Sequence, residues 1–494
     1  MTRDSRKHEE RIVRASFIVT ISICLFFFLL FGYLARGWIR GTDGQSYYAL
    51  ARSIYFDHDF DLTNELLELT PHPEHFGNLT RESPSVTRNW FHLGYAILAQ
   101  PFFLLAHALS LLYNAVFSEP AIMDGYRGIF GIIVPAGTLV YAVLSLWIIY
   151  RILTLFFPVH ISALASCTAV LSTSLIWYIT GQPTYSHVHA LFCISLLSLL
   201  SLKFYTNEIT SISWGIYLGV GCLVSLSVMS HPLSLVFALL PIIGICVGIL
   251  TSVSARKSLW KVSVKAVFAF AAAVLCYFPQ MLYYKVVFGG WLENTYAYSG
   301  NNFRFSDPLL VETLFSTNHG LFLWTPISLL SIVGLFLLFK ETRAYRIFIV
   351  SLSLSFLLNW YLVASYYYLD QPVYHGGNSF GSRYFSGFAI FFALGWGALL
   401  ERFWRWKKAA IAVSSLLVLW NLQLMIQQRY FEWIPLCGVI PHMQVFYNYR
   451  KLPDAIEKFK AKHFHGSSAE RMETGIQFCV IRIERVQHDQ GGRL

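Results

Sequence analysis

Runs of about twenty apolar residues recur along this chain, and no other feature limits its fold so tightly. The hydrocarbon core of a bilayer is about 30 Å thick and offers an unpaired backbone amide no partner, so roughly 20 mostly apolar helical residues suffice to cross it. The first such run, Ala15 to Ala35, follows a head containing Arg3, Arg6, Lys7, Arg11 and Arg14. Its exit, Arg36-Gly37-Trp38-Ile39-Arg40, has no small-x-small cleavage site, so it reads as an uncleaved anchor with a cytoplasmic N-terminus. Later runs lie near 128–150, 161–179, 188–204, 214–229, 233–250, 262–284, 321–339, 348–369, 385–400 and 409–425. The expected fold is an all-α, polytopic bundle of about eleven spans, within roughly 10 to 13, carrying a large first outer loop at 36–127 with juxtamembrane helices.

Charge supports this order. With odd-numbered connections outside, Arg151, Lys203, the group Arg256/Lys257/Lys261/Lys265, the group Lys340/Arg343/Arg346 and the group Arg402/Arg405/Lys407/Lys408 all fall inside. The apolar segment Phe91 to Phe117, interrupted at Gln100-Pro101, must then lie in or dip into the outer leaflet without crossing. The net charge of +10 resides mostly in these clusters and at the chain ends, so it requires no nucleic-acid partner. Six of the eight cysteines sit inside apolar runs without metal or CxxC spacing, as small hydrophobic residues.

A transporter would concentrate ionisable groups at mid-membrane. Here the polar residues gather in four outward segments, 36–90, 180–189, 288–319 and 370–383. A site at the membrane surface, open sideways to a lipid-borne substrate, follows from that distribution.

In the first segment, Tyr47, Leu50, Ala51 and Ile54 recur at helical spacing and form an apolar face suited to a helix lying on the membrane. Asp43 stands at its start, either as an ordinary N-cap or as a general base above the lipid surface. Asp57, Asp59 and Asp61 alternate, so an extended strand would put all three carboxylates on one face, where they could hold a divalent cation or a basic partner, whereas a solvated acidic turn, the reading favoured for at least two of them, would not. His72 and His75 match no strong zinc pattern, and no metal site is assigned. His187 or His189 could bond a phosphate or a sugar hydroxyl, and Trp291, Tyr296 and Tyr298 could stack on sugar rings or serve as an interfacial belt.

The fourth segment is the most informative. Tyr374-His375-Gly376-Gly377-Asn378-Ser379-Phe380-Gly381-Ser382-Arg383-Tyr384 precedes a span, with glycines that let backbone amides approach an anion and an arginine at a helix start. This is the pattern of a phosphate clamp.

Together the topology from about Ile12 to Met425, Asp43 with Tyr47-Tyr48-Ala49, Ser316 to Phe322 with Trp324-Thr325-Pro326, and Gly376 to Tyr384 resemble the GT-C class of membrane glycosyltransferases. That superfamily contains the protein O-mannosyltransferases and the bacterial aminoarabinose transferase of lipid A. Its members usually carry Asp-Glu or Glu-x-Tyr at the first-loop position, whereas this chain has Asp43-Gly44, so Asp57, Asp59 or Asp61 would have to supply a second acid.

The resemblance implies an enzyme of a bacterial inner membrane with its active site at the periplasmic face. A sugar would pass from a polyprenyl-phosphate donor, with inversion, to a glycan, lipid or protein acceptor, with no certain cofactor. On this reading Asp43 is the catalytic base, and Arg383 with His375 clamps the donor phosphate. Tyr47, Asp59, Asp61, His187, His319 and Tyr384 are further substrate-binding candidates. Residues 1–426 form the transmembrane domain, and 427–494 a short, partly basic tail outside. A lipid-linked glycan flippase and an O-antigen ligase or polymerase are the rival readings. The first would need a charged internal cavity, and the second a large late loop.

Overall fold

The structure, a computed structural model, describes residues 3–35, 37–69, 89–295, 297, 301–317, 319–340, 343–367, 380–430, 450 and 453. It is mostly helical. Helices α1 (Arg3–Ala35), α2 (Thr42–Arg52), α3 (Thr63–Leu69) and α4 (Gly94–Val116) are followed by α5 (Phe130–Leu153), α6 (Val159–Leu171), α7 (Leu175–Thr180), α8 (His187–Ser201) and the single turn α9 (Lys203–Thr206). Then come α10 (Trp214–Ser230), α11 (Leu239–Thr251), α12 (Val253–Lys257) and α13 (Leu259–Phe288). The last part holds α14 (Leu310–Phe315), α15 (Leu321–Trp324), α16 (Ile327–Leu335), α17 (Arg343–Ser365), α18 (Ala389–Arg402) and α19 (Lys407–Tyr430). Sheet among the described residues is one antiparallel pair, β1 (Asn302–Phe303) against β2 (Tyr366–Tyr367), with Asn302 opposite Tyr367.

Nine helical segments among the described residues are long and apolar enough to cross a membrane, and three shorter apolar helices accompany them. The exterior is what a bilayer, and not water, solvates. On α13, Phe270 and Leu275 are 71% and 74% exposed, and Val267, Phe268 and Phe278 lie bare beside them.

Inside the bundle, hydroxyl groups close their hydrogen bonds on the helix backbone one turn back, as Ser145 does to Tyr141 O (2.7 Å) and Ser198 to Ile194 O (2.8 Å). Where helices cross, small residues admit the neighbouring backbone. A Cβ on Gly395 would collide with the carbonyl of Ser331, so α16 and α18 cross at van der Waals contact, and Ser331 Oγ adds a 2.7 Å bond to Phe392 O.

The bundle has two chemically distinct ends. At one, Glu9 meets His160 at 3.7 Å, His160 lies 4.9 Å from the Trp404 ring, and Phe17 packs on Tyr150 beside Arg151. Lys265 bonds the carbonyls of Thr210 and Ile212. At the other end Phe31 meets Trp177 and Thr180 meets Met425, and described residues of the four polar segments touch: Gly44 abuts Thr184 and Tyr185, Asp43 bonds Arg383, and Ser382 bonds His319.

Helix α4 departs from the expected pattern: it is continuous through Pro101, with no interruption. Gly94 abuts the Ser230 backbone, Tyr95 lies 4.7 Å from His189, Leu98 O accepts a 2.8 Å bond from the Tyr141 hydroxyl, and Phe103 and His107 pack on Phe130 at the start of α5. It is itself long and apolar enough to cross a membrane.

Two further expectations are corrected. The apolar face of α2 is covered by protein: Tyr47 packs on Phe91 and Tyr95, Tyr48 on Phe103, and Leu50 and Ala51 are fully buried. Periodicity reveals a face but not its partner, and here α4 takes the place of lipid. Nor is Asp57 to Leu62 a strand. A π-helical turn over Ser53–Asp57 ends on His58 at φ 58°, and the three carboxylates diverge.

Candidate functional site

The site forms around the start of α2. Gly41, at φ 69° and ψ 149°, leads into the helix with no side-chain cap, and Asp43 lies in the first turn. Asp43 is therefore not the N-cap. Its carboxylate accepts a 2.7 Å bond from Arg383 Nη1, across 340 residues of sequence. Both groups remain partly open, with side-chain exposures of 27% for Asp43 and 14% for Arg383.

Glycines flank Asp43 for a steric reason. A Cβ on Gly41 would lie 2.6 Å from the Tyr185 hydroxyl, and one on Gly44 would meet Thr184 Oγ1 at 2.5 Å and the Tyr185 ring at 3.0 Å. The 182–185 loop thus closes directly against the start of α2. This explains the missing second acid: a glutamate at position 44 would occupy the space of Thr184 and Tyr185. Burial first, and then the charge of Asp43, push the Tyr185 phenol well up, so it remains a neutral O–H beside the carboxylate. Thr184 Oγ1 is buried and has no hydrogen-bond partner among the described residues.

Arg383 opens a 3₁₀ turn, Arg383–Phe388, that leads into α18. The preceding turn is shaped by Gly381 at φ 61°, and Arg383 N bonds Gly381 O at 2.9 Å. Ser382 Oγ donates to the carbonyl of His319, itself at φ 61°, whose ring lies 4.8 Å from that of Trp324. His319 thus supports the turn through its backbone. The Arg383 guanidinium lies 5.2 Å over the Tyr384 ring and reaches the Tyr384 hydroxyl only at 3.4 Å from Nη2. Its buried Nε has no hydrogen-bond partner among the described residues.

Under this pair lies a group of imidazoles. His187, the first residue of α8, stands 4.6 Å from the Tyr178 ring and 5.1 Å from His231, and its Nδ1 is 3.3 Å from Ser386 Oγ. His231 lies 6.2 Å from Tyr384. From Tyr384 a line of rings leads outward over β2 and β1: Tyr366 at 6.0 Å, Phe303 at 5.5 Å from it, then Phe305 and Tyr361.

The structure therefore brings together Asp43, Arg383, Tyr384 and His187, with His319 behind the turn and Tyr47 buried behind α2. It does not bring in Asp59 or Asp61. Asp59 accepts from Ser53 Oγ and Asp61 N, and Asp61 accepts from Thr63 N and Oγ1, so both serve local turns. No group of three or more acidic, histidine or cysteine side chains among the described residues is arranged to hold a metal ion, so no step is derived through one. His375, Gly376 to Ser379, Tyr296, Tyr298, His72 and His75 lie outside the described residues.

Sequence reasoning missed Tyr185, Thr184 and His231. The available signal for His231 was a lone ionisable residue, with Pro232, between two apolar runs.

No family model and no curated protein matches the chain. Among solved structures it is similar to the archaeal oligosaccharyltransferase AglB from Archaeoglobus fulgidus in complex with an inhibitory peptide and a dolichol-phosphate, at 12% identity and a TM-score of 0.48, over 84% of this chain and 55% of that one. It is also similar to the apo form of the Archaeoglobus fulgidus oligosaccharyltransferase, at 12% identity and a TM-score of 0.46, over 85% and 55% of the two chains. The chain thus spans about half the length of these structures.

Proposed function

We propose that this chain is a membrane glycosyltransferase that transfers a sugar from a polyprenyl-phosphate donor at the outer face of a bacterial inner membrane, with inversion. The observation that carries the reading is the Asp43–Arg383 pair: a carboxylate and a guanidinium, each partly open, joined at the meeting point of the polar segments. In this reading the eleven helical runs other than α4 cross the bilayer, α4 stays on the outer side, and the basic clusters face the cytoplasm.

Cleavage of the anomeric C–O bond of a phosphodiester donor releases polyprenyl phosphate, a monoester anion that leaves without help from a general acid. The site must then supply a base for the acceptor hydroxyl and a cation for the departing phosphate. Arg383 can serve the phosphate without abandoning Asp43. Nη1 holds the carboxylate, while Nη2, bonded only weakly to the Tyr384 hydroxyl at 3.4 Å, is left to donate to a phosphate oxygen. The carboxylate is thereby held next to the bond that breaks, positioned to take the acceptor proton as the acceptor oxygen attacks the anomeric carbon. The line of rings from Tyr384 to Tyr361 offers the prenyl chain an apolar way out to the side of the bundle.

The test is transfer of radiolabelled sugar from polyprenyl-phosphate donors in membranes containing wild-type protein or Asp43→Asn at equal levels. Loss of transfer in the variant supports the assignment, and unchanged transfer removes Asp43 as base. Failure of the wild type with every such donor overturns the reading. Mass spectrometry of envelope glycans from a strain lacking the protein would identify sugar and acceptor.

A further inference from the structure

His231 has no part in the mechanism above, yet its position suits one. It is the single residue between α10 and the 3₁₀ turn Pro232–Ala238, held in extended backbone at φ −153° and ψ 114° because Pro232 follows it and cannot extend α10. Its backbone is fully used, His231 N bonding Ser227 O at 2.8 Å and its carbonyl accepting from Ser234 N at 2.8 Å. The break thus fixes the ring at the outer end of α10. That ring lies between His187 at 5.1 Å and Tyr384 at 6.2 Å, and Tyr384 is the ring that Arg383 covers.

The titratable and charged groups facing it are Arg383 and Tyr384 from the turn before α18, His187 from α8 and His92 from the turn before α4. Carboxylates are absent from that set. Burial, then the Arg383 cation and His92, push the His231 imidazole down, so it is neutral while the site is empty. An anion seated on the outer edge of Arg383 reverses the sign of the local field. The cation that opposed protonation becomes neutralised, and a second charge-assisted donor gains a partner.

We infer that His231 is a second anchor for the donor phosphate, which it binds as an imidazolium, so that donor binding takes up a proton from solvent. The inference rests on the polyprenyl-phosphate reading of the site. The balance is simple: one proton moves from water to the imidazole as the phosphodiester oxygen accepts its N–H, and no covalent bond changes.

The experiment uses the full chain in lipid nanodiscs and, as probe, a methyl polyprenyl phosphodiester. Unlike a phosphate monoester, which titrates near pH 6, this probe carries one fixed charge. Calorimetric titrations at about pH 7 in two buffers of different ionisation enthalpy give the number of protons taken up. Wild type should take up about one proton, and its affinity should fall by up to tenfold per pH unit above neutrality. His231→Gln should bind about tenfold more weakly with no uptake and a flat pH profile. His231→Lys, whose amine is about four units more basic than an imidazole, should regain affinity with less uptake than wild type. If His231→Gln fails to fold, the lysine variant and the wild-type pH profile decide.

Binding by wild type without uptake, or undiminished uptake in His231→Gln, overturns the role of His231 and leaves the donor class standing. No binding of the probe by wild type overturns the donor class and this inference with it.

Discussion

Helix α2 carries an arginine–carboxylate contact at each end, and the two are built differently. At its start Asp43 meets Arg383 from 340 residues away, one bond at 2.7 Å with both groups partly open. At its end Arg52 has several partners: it pairs with Asp57, bonds Glu65 at 2.8 Å and Asp124 O at 3.2 Å, and stacks on Phe56 and Tyr126. Glu65 is fully buried. Burial, then its bond to Asp57, push the Glu65 carboxyl up to about 8, so near neutrality it is an acid that shares its proton with Asp57. Burial opposes ionisation of Asp57 as well, but the bonds from Glu65, Asn64 and Arg52 outweigh it and hold that carboxyl below its ordinary value. A charge contact whose partners lie on adjoining turns holds a loop in shape. One that recruits a distant partner and leaves a donor unspent is arranged to receive something.

Four measurements break or sharpen that contrast. The largest effect is expected at the open end, where Asp43→Asn should lower sugar transfer by about 10²–10⁴-fold with the thermal transition nearly unmoved. Arg383→Ala should come next, raising the apparent KM for donor by about tenfold or more. Arg383→Lys should recover only part of this, because an ammonium lacks the planar fork that serves carboxylate and phosphate at once. An effect on acceptor KM alone would sink the clamp assignment.

At the closed end the readout changes from activity to stability. Arg52→Ala removes one member of a buried network, a loss of about 3–5 kcal/mol in comparable cases. It should lower the melting temperature while transfer per folded molecule stays the same; lost transfer at full stability would dissolve the distinction. The smallest effect is a pH dependence. Because the folded state raises Glu65 from 4.5 to about 8, its contribution is fully present below about pH 4.5 and is lost as pH rises through about 8. Thermal scans should show that decline in wild type, and Glu65→Gln should flatten it.

The sequence reading succeeded where physics acts along the chain. Apolar runs of span length follow from bilayer thickness and form long apolar helices, and Asp43 and Arg383, which stood out as ionisable groups beside glycines, lie in contact. It faltered where the deciding partner is remote. The apolar stripe of Tyr47, Leu50 and Ala51 predicts burial, but only the fold shows that α4 supplies it. Alternation of Asp57, Asp59 and Asp61 suggests a strand, yet Asx-type bonds from Ser53, Asp61 and Thr63 turn the chain instead. The absence of an acid at position 44 is a departure in sequence and becomes intelligible only when Tyr185 is seen against Gly44.

The placement of α4 also bears on how the protein is made. Its first turn rests on Ser230, and Leu93 N bonds Gln280 Oε1 at 2.8 Å, partners that emerge from the ribosome more than a hundred residues later. A hydrophobic helix long enough to span thus packs on α10 and α13, which are synthesised only after it. Its final packing is a late event, and truncation before Gln280 leaves α4 without that seat.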